Sequence, residues 1–292
     1  GDTEVGVRRN IRNKSHLIFS NPDMLHLAIL PNHSLWSNFF ANLKWIVLDE
    51  VHIYRGVFGS HFANVIRRLK RICEFYGSSP QFICTSATVA NAKELTETLL
   101  EEPVHLVDKD SSPHSKRAFF IINPPIVDYA LGIRRSALME STILAKNWLQ
   151  HKGQAILFCG SRRNVEIIYL YLTKDESYKE KIRSYRSGYL AEHRREIEKD
   201  LREGKIKLVI STNALELGID IGGLDAVFMN TYPGTIAATR QQAGRAGRTN
   251  NTALAILIAG ANPLDQYICQ HPEYLFENNP ENALISPDHS EI

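Results

Sequence analysis

The chain has 292 residues, of which 43% are hydrophobic, so it can build about two domains with cores of their own. Its 34 Lys and Arg residues and 32 Asp and Glu residues leave a net charge of +2, which excludes a basic field over the whole surface. No apolar run approaches the length of a membrane span. The four cysteines form no CxxC pair, which argues against zinc and favours buried, reduced thiols in a cytoplasmic protein.

Short apolar runs alternate with longer amphipathic segments, which is typical of α/β folds with mainly parallel sheets. We predict strands, most of them buried on both faces, at residues 16–19, 45–48, 81–84, 155–159, 208–210, 226–229 and 254–258. Apolar residues at helical spacing predict helices at residues 62–75, 92–100, 137–150, 163–172 and 191–203.

A polar break divides these elements into two groups. Residues 109–116 are rich in Ser and Lys, contain a proline and predict a linker. We therefore predict a first lobe at residues 1–108 and a fuller second lobe at residues 117–270. The tail at residues 271–292 contains prolines and has no clear period, which predicts an irregular extension.

Two carboxylates follow the predicted strand at residues 45–48. Asp49 and Glu50 emerge at its carboxyl end, where open α/β sheets bind their ligands. This position suits Asp49 to hold Mg²⁺, directly or through water, and Glu50 to orient and deprotonate an attacking water. A carboxylate pair after a strand also occurs without any function, so the pair alone does not decide the chemistry.

A second segment, residues 241–248, reads QQAGRAGR and supplies two arginines. On a helix, Arg245 and Arg248 lie about one turn apart on the same face. Phosphoryl transfer from a nucleotide needs a metal against the phosphates and a cation against the charge that develops on the transferred group. The carboxylates and the arginines in one chain therefore indicate two lobes that act on one nucleotide. The alternative is a basic helix stabilised only by solvent and local pairs.

Six motifs occur along the chain in the order that superfamily-two DExH-box helicases have them. They lie at residues 21–25, 49–52, 86–88, 158–162, 212–220 and 241–248 and read NPDML, DEVH, SAT, FCGSR, TNALELGID and QQAGRAGR. The chain therefore resembles this superfamily over nearly its whole length. Residues 52–71 and 185–225 further resemble the mitomycin-repair-type DNA helicases of bacteria and their RecQ4-like relatives in fungi.

The resemblance implies two RecA-like α/β lobes, the first of them incomplete, that couple ATP hydrolysis to movement on single-stranded DNA in DNA repair. It implies ATP and Mg²⁺ as cofactors. Gln241 would act with the two arginines in catalysis. Gly218 would let the backbone approach phosphate, Asp220 would face the ribose, and His52 would belong to the nucleotide site.

A motor steps over every sequence, so its nucleic-acid contacts should go mainly to the backbone. The polar residues that follow predicted strands and could make these contacts are Asn21, Asp23, Ser161, Arg162, Thr212 and Asn213. Ser161 and Thr212 are equally suited to cap a helix. Ser86 and Thr88 are expected to bond the carboxylate loop and to sense lobe closure, a role that His52 would share.

The phosphate-cradling loop G-x-x-x-x-G-K-[ST] occurs nowhere in the 292 residues. Since the first motif already appears at residue 21, we expect this loop upstream of Gly1, in a missing N-terminal part of the same protein. The chain alone is then expected to be inactive as an ATPase. Two alternatives stay open: an ATPase-incompetent nucleic-acid-binding module, and a motor whose track is RNA. The resemblance implies a cytoplasmic or nucleoid-associated location.

Overall fold

The computed structural model describes residues 5–87, 89–109, 116–185, 188–215, 224–247, 252–289 and 291. The chain forms two compact units: residues 1–109 together with residues 281–292 make unit 1, and residues 110–280 make unit 2. No helix in the described part of the chain has both the length and the apolar character needed to cross a membrane.

Unit 1 begins with helical segments that the sequence did not predict. They are α1 (Val5–Lys14), α2 (Pro22–Met24), a π-helical turn (Leu25–Ile29), a 3-10 segment (Leu30–Trp36) and α3 (Ser37–Ala41). The predicted strand at residues 16–19 is wrong, because these residues form no strand and Phe19 is 91% exposed. The run Leu17–Phe19 is apolar, but a strand needs a paired neighbour to satisfy its backbone.

Unit 1 contains a parallel two-stranded sheet. Its strands are β1 (Trp45–Leu48) and β2 (Gln81–Cys84), and they are joined through α4 (Gly56–Phe75) and followed by α5 (Ala92–Leu100). The apolar stripe of α4 packs into the unit 1 core with Leu48, Leu95 and Leu99. The other face of the sheet stays open, since Trp45 and Val47 are 56% and 59% exposed, so the prediction of burial on both faces is wrong for these strands.

The last residues of the chain lie along α4 as an extended strap, residues 283–288. The side-chain amide of Asn91 pairs with the backbone of Ala283 in both directions, with each hydrogen bond 2.9 Å long. The Gly56 N–H donates to the Leu284 carbonyl at 2.7 Å, and the Ser286 N–H donates to Ser60 Oγ at 2.8 Å. The predicted irregular tail is therefore partly ordered: its first part contains a one-turn helix, and its end belongs to unit 1.

Gly59 of α4 leaves no room for a side chain beside the strap. A Cβ atom there would lie 2.5 Å from Ile285 Cγ2 and would also collide with the Tyr54 carbonyl group. We expect Gly59→Ala to destabilise unit 1 by about 1–3 kcal/mol, as overpacking of a filled site does. Thermal or urea melts would measure this, with Gly160→Ala as the control because a Cβ there meets nothing within 4 Å. Equal stability of the two variants would mean that both the strap and the Tyr54 backbone move aside without cost.

Unit 2 is built on a six-stranded parallel sheet with the strand order β3-β10-β9-β6-β8-β7. The strands of unit 2, including an antiparallel hairpin of β4 and β5, are β3 (Arg117–Ile122), β4 (Ile126–Asp128), β5 (Ile133–Arg134), β6 (Ala155–Cys159), β7 (Ile182–Tyr185), β8 (Leu208–Ser211), β9 (Ala226–Asn230) and β10 (Ala253–Ile258). Its helices are α6 (Ala137–Trp148), α7 (Arg162–Thr173), α8 (Ala191–Arg202), α9 (Ile236–Ala243), α10 (Pro263–Gln270) and α11 (Glu273–Glu277).

Alternate residues of the central strands point into two separate cores. Ile156 and Phe158 pack on the side of α8 and α9, whereas Leu157 packs on the side of α6 and α7. Because helices cover both faces, β6, β8 and β9 are buried at every position, as predicted. The sequence did not predict β3 and β7, which are the edge strands of the sheet and are less uniformly buried.

The cysteines are free thiols within these cores. Cys73 and Cys159 are buried, and Cys84 and Cys269 are half-buried. Burial raises the pKa of the Cys84 thiol to about 11 and that of the Cys159 thiol to about 12. All four side chains therefore remain protonated near neutral pH, which makes them poor nucleophiles.

Candidate nucleotide and nucleic-acid site

The carboxyl end of β1 carries the predicted acidic pair. Asp49 follows Leu48 and is exposed, and Glu50 follows it with φ 55° and ψ 47°, in the left-handed region. A residue other than glycine in this region costs about 1–3 kcal/mol and persists only where its surroundings hold it. The turn sends the chain away from the sheet directly after the two carboxylates, so both lie at the sheet edge where α/β folds bind ligands.

Thr85, which the sequence analysis did not single out, holds this turn from the neighbouring strand. Its N–H donates to the Leu48 carbonyl at 2.9 Å, and its carbonyl accepts the Val51 N–H at 2.8 Å. Its hydroxyl donates to Asp49 Oδ1. The adjacent Ser86 was expected to bond the carboxylate loop, but its hydroxyl donates to the Ala87 carbonyl at 2.9 Å. The residue that bonds the loop is Thr85, not Ser86. A polar residue directly after β2, in register with Asp49, was the signal that could have identified it.

His52 connects the acidic turn to the segment after β2. Its Nδ1 accepts the Ala87 N–H at 3.1 Å and lies 3.4 Å from Glu50 Oε2. Burial lowers the pKa of His52, and this outweighs the opposite effect of Glu50. The ring is therefore neutral at neutral pH, which is the state in which Nδ1 can accept the Ala87 hydrogen bond.

The donor set at this edge suits Mg²⁺. This ion binds oxygen ligands and commonly uses one or two carboxylates together with substrate phosphates and water. The bonds from Thr85 and from the Glu50 N–H, the latter 3.0 Å long, both end on Asp49 Oδ1. Asp49 therefore keeps a second carboxylate oxygen outside these bonds, and it is the residue that would hold the ion.

Four of the predicted nucleic-acid residues lie at the carboxyl edge of the unit 2 sheet. Ser161 and Arg162 follow β6, and Thr212 and Asn213 follow the neighbouring strand β8. Ser161 caps α7, since its Oγ accepts the Asn164 N–H at 3.1 Å, so the capping alternative holds for this residue. Arg162 and Asn213 are exposed, whereas Thr212 is only 9% exposed and offers little surface to a ligand.

Asn21 and Asp23 lie at the start of α2 in unit 1, not after a strand as predicted. The Met24 N–H donates to Asn21 Oδ1 at 2.7 Å, so Asn21 is the N-cap of this short helix. Asp23 stands in its first turn and is exposed. Both side chains are therefore at a helix N-terminus, where backbone N–H groups can also meet phosphate.

The segment with the two arginines does not lie wholly on a helix. Gln241 lies on α9, which ends at Ala243, and Arg245 follows in a turn. After this turn Ala246 forms a backbone bridge with Leu224, and Gly247 has a positive φ. Arg245 is therefore outside the helix, and the prediction that a helix carries Arg245 is wrong. Four predicted site residues lie outside the part of the chain that the structure describes: Thr88, Gly218, Asp220 and Arg248.

One unit of the chain has a parallel sheet with polar residues at its carboxyl edge, and the other has two carboxylates at the end of a parallel strand. Together these features define a class of protein: RecA-like α/β proteins of the kind found in nucleotide-driven motors. Comparison with known proteins agrees. The model of the DEAD/DEAH box helicase family matches residues 1–95, and that of the helicase conserved C-terminal domain matches residues 136–250. The chain belongs to the superfamily-two helicases of the DEAD/DEAH box family.

Individual helicases show which members of this family the chain is similar to. The chain is 55% identical over 99% of its length to the uncharacterized ATP-dependent helicase YprA of Bacillus subtilis and covers 39% of that protein. It is 43% identical over 96% of its length to the ATP-dependent helicase HRQ1 of Saccharomyces cerevisiae and covers 27% of that protein. A crystal structure of the DUF1998 helicase MrfA bound to DNA and AMPPNP has 54% identity and a TM-score of 0.94, covering 100% of this chain and 41% of that one. The chain thus spans less than half the length of these relatives.

Proposed function

We propose that the chain forms the motor region of an ATP-dependent DNA helicase or translocase that works in DNA repair. The observation that carries the proposal is the acidic turn at Asp49 and Glu50, fixed at the carboxyl end of β1 in a chain whose two halves match the two helicase families. The neighbour MrfA, bound to DNA and AMPPNP, supports DNA as the track and ATP as the nucleotide. The location that we propose is cytoplasmic or nucleoid-associated.

In the proposed reaction a water molecule attacks the γ-phosphorus of ATP, and the bond from that phosphorus to the oxygen of the departing ADP breaks. Glu50 orients the water and takes its proton. Asp49 would hold Mg²⁺, which shields the phosphate charge. Arg245 and Arg248 would meet the charge that develops on the transferred group, with Gln241 beside them.

Other predicted residues would bind the nucleotide or the track. Gly218 and Asp220 would contact the phosphates and the ribose. Ser161, Arg162 and Asn213 would contact the DNA backbone at the unit 2 edge, and Asn21 and Asp23 would do so from α2. Thr212 stays a predicted contact with the DNA backbone, although its low exposure leaves it little surface for one.

The first test compares the 292-residue chain with an extended protein, defined as the same chain lengthened upstream to include a phosphate-binding loop. The 292 residues lack this loop, which otherwise supplies the amides and lysine that seat the triphosphate. We expect the extended protein to hydrolyse ATP when single-stranded DNA is added and the 292-residue chain to show little or no turnover. Steady-state phosphate release, with and without DNA, measures both.

Three outcomes would contradict these expectations. DNA-stimulated turnover by the 292-residue chain would show that the loop is dispensable. DNA binding without turnover in the extended protein would favour the second candidate, an ATPase-incompetent nucleic-acid-binding module. A stronger stimulation by RNA than by DNA of the same sequence would reassign the track.

The second test concerns the DNA contact at the unit 2 edge. We expect Arg162→Ala to weaken binding of unrelated single-stranded sequences alike and to reduce the slope of log affinity against log salt by about 0.7, the value for one lost phosphate contact on a single strand. The control is Lys174→Ala, which removes the same charge from the opposite end of α7. Titration of a labelled oligonucleotide at several salt concentrations would measure both.

The two variants separate a contact from a general charge effect. Equal slopes for Arg162→Ala and Lys174→Ala would mean that Arg162 does not touch a phosphate. Thermal melts run on the same samples show whether Arg162→Ala changes folding, which we do not expect because Arg162 is exposed at the first position of α7.

A further inference from the structure

Thr85 follows β2 and bonds the acidic turn formed by Asp49 and Glu50. The sequence analysis gave Thr85 no role in catalysis. Its hydroxyl donates to Asp49 Oδ1 and also accepts the Glu50 N–H at 3.3 Å. A hydroxyl can donate one hydrogen bond while accepting another, so one side chain holds both residues. Its backbone meanwhile bonds Leu48 and Val51, on either side of the pair.

This arrangement has two consequences for the carboxylates. The bonds to Oδ1 fix the orientation of the Asp49 carboxylate and leave its other oxygen outside them. The bond to the Glu50 N–H supports a backbone that lies in the left-handed region at φ 55°. Partners of this kind, which orient a metal-binding carboxylate without touching the metal, contribute to both metal affinity and activity.

We propose that Thr85 is a positioning residue for ATP hydrolysis: its hydroxyl sets the Asp49 carboxylate for the metal and holds the turn that presents Glu50. The proposal rests on the proposed function of the acidic pair. It adds a requirement that the helicase motifs of the sequence do not contain, namely a hydroxyl at the residue before Ser86.

The test uses three variants of the extended protein. Thr85→Val keeps the shape and loses the hydroxyl, and Thr85→Ser keeps the hydroxyl. The control Thr98→Val makes the same exchange at an exposed threonine of unit 1 whose hydroxyl only bonds the Glu94 carbonyl within α5. Binding of Mn²⁺ together with ADP, followed by electron paramagnetic resonance, reports metal affinity without turnover. Phosphate release at varied Mg²⁺ concentrations reports the activity.

For Thr85→Val we expect metal affinity and turnover to fall about 10- to 100-fold, with a higher Mg²⁺ concentration needed for half-maximal turnover. Thr85→Ser should recover most of both, and Thr98→Val should match the wild type. Wild-type Mn²⁺ affinity in Thr85→Val would overturn the proposal, and so would a Thr85→Ser variant as impaired as Thr85→Val. If the wild-type extended protein itself lacks DNA-stimulated turnover, the proposed function has failed, and the Mn²⁺ titration still decides whether Thr85 orients Asp49.

Discussion

The Glu50→Gln variant of the extended protein is expected to bind ATP with nearly wild-type affinity and to hydrolyse it at least about 100-fold more slowly. The amide keeps the size of the side chain and its place at the left-handed turn, but it cannot take the proton of the attacking water. Single-turnover and steady-state phosphate release measure the loss. Equilibrium binding of a fluorescent ATP analogue shows whether the nucleotide still binds.

A matched control for this variant is Glu74→Gln, which makes the same change at an exposed residue near the end of α4. We expect it to leave turnover unchanged. If Glu50→Gln keeps more than about a tenth of the wild-type rate, the loss is too small for a general base, and Glu50 would lose that assignment. A parallel loss of nucleotide binding would instead mean that the exchange disturbs the turn.

Replacement of the arginines is expected to have an effect at least as large. Arg248→Ala should lower turnover by about 10³-fold or more, because an arginine that meets the transferred phosphoryl group contributes about 10³ to 10⁵ to the rate. Arg245→Ala should also be strongly impaired. Since the charge that these side chains stabilise develops in the transition state, nucleotide affinity should change far less than turnover.

The control for the arginines is Arg202→Ala, at the exposed C-terminal end of α8 and away from the carboxyl edge of the sheet. It removes one positive charge from unit 2 and should leave turnover intact. Equal effects of Arg248→Ala and Arg202→Ala would show that net charge, and not a contact with phosphate, is what the variants change. Because Arg245 lies in the turn after α9, its replacement could disturb that turn, so the folding of Arg245→Ala is checked by thermal melt.

The sequence predicted the elements of unit 2 best where they are buried on both faces. Strand β6 begins and ends where it was predicted, and β8, β9 and β10 differ by a residue at one end. An uninterrupted apolar run is a strong local signal for a central parallel strand. The edge strand β7 lacks this signal, since its sequence IRSY is interrupted by polar residues, whereas β3 carries an apolar run at residues 118–122 that the sequence analysis did not assign.

The path of the backbone around Arg245 could not be read from the local pattern. Gly244, the C-cap of α9, is a local signal for the end of the helix at Ala243, but nothing in the segment shows that Ala246 then pairs with Leu224. That bridge joins residues far apart in sequence. The strand predicted at residues 16–19 failed for the same kind of reason, since strand formation depends on a partner that the run itself does not reveal.

By itself, the sequence predicted where the proposed chemistry lies: Asp49 and Glu50 follow β1 because the apolar run ends there, and the order of the motifs identified the family. Only the tertiary structure decided which groups hold these carboxylates. Thr85 reaches Asp49 across 36 residues, and residues 283–288 return to lie on α4. Both contacts depend on strand pairing and docking between distant segments, and the local pattern of polar and apolar residues carries no information about such pairings.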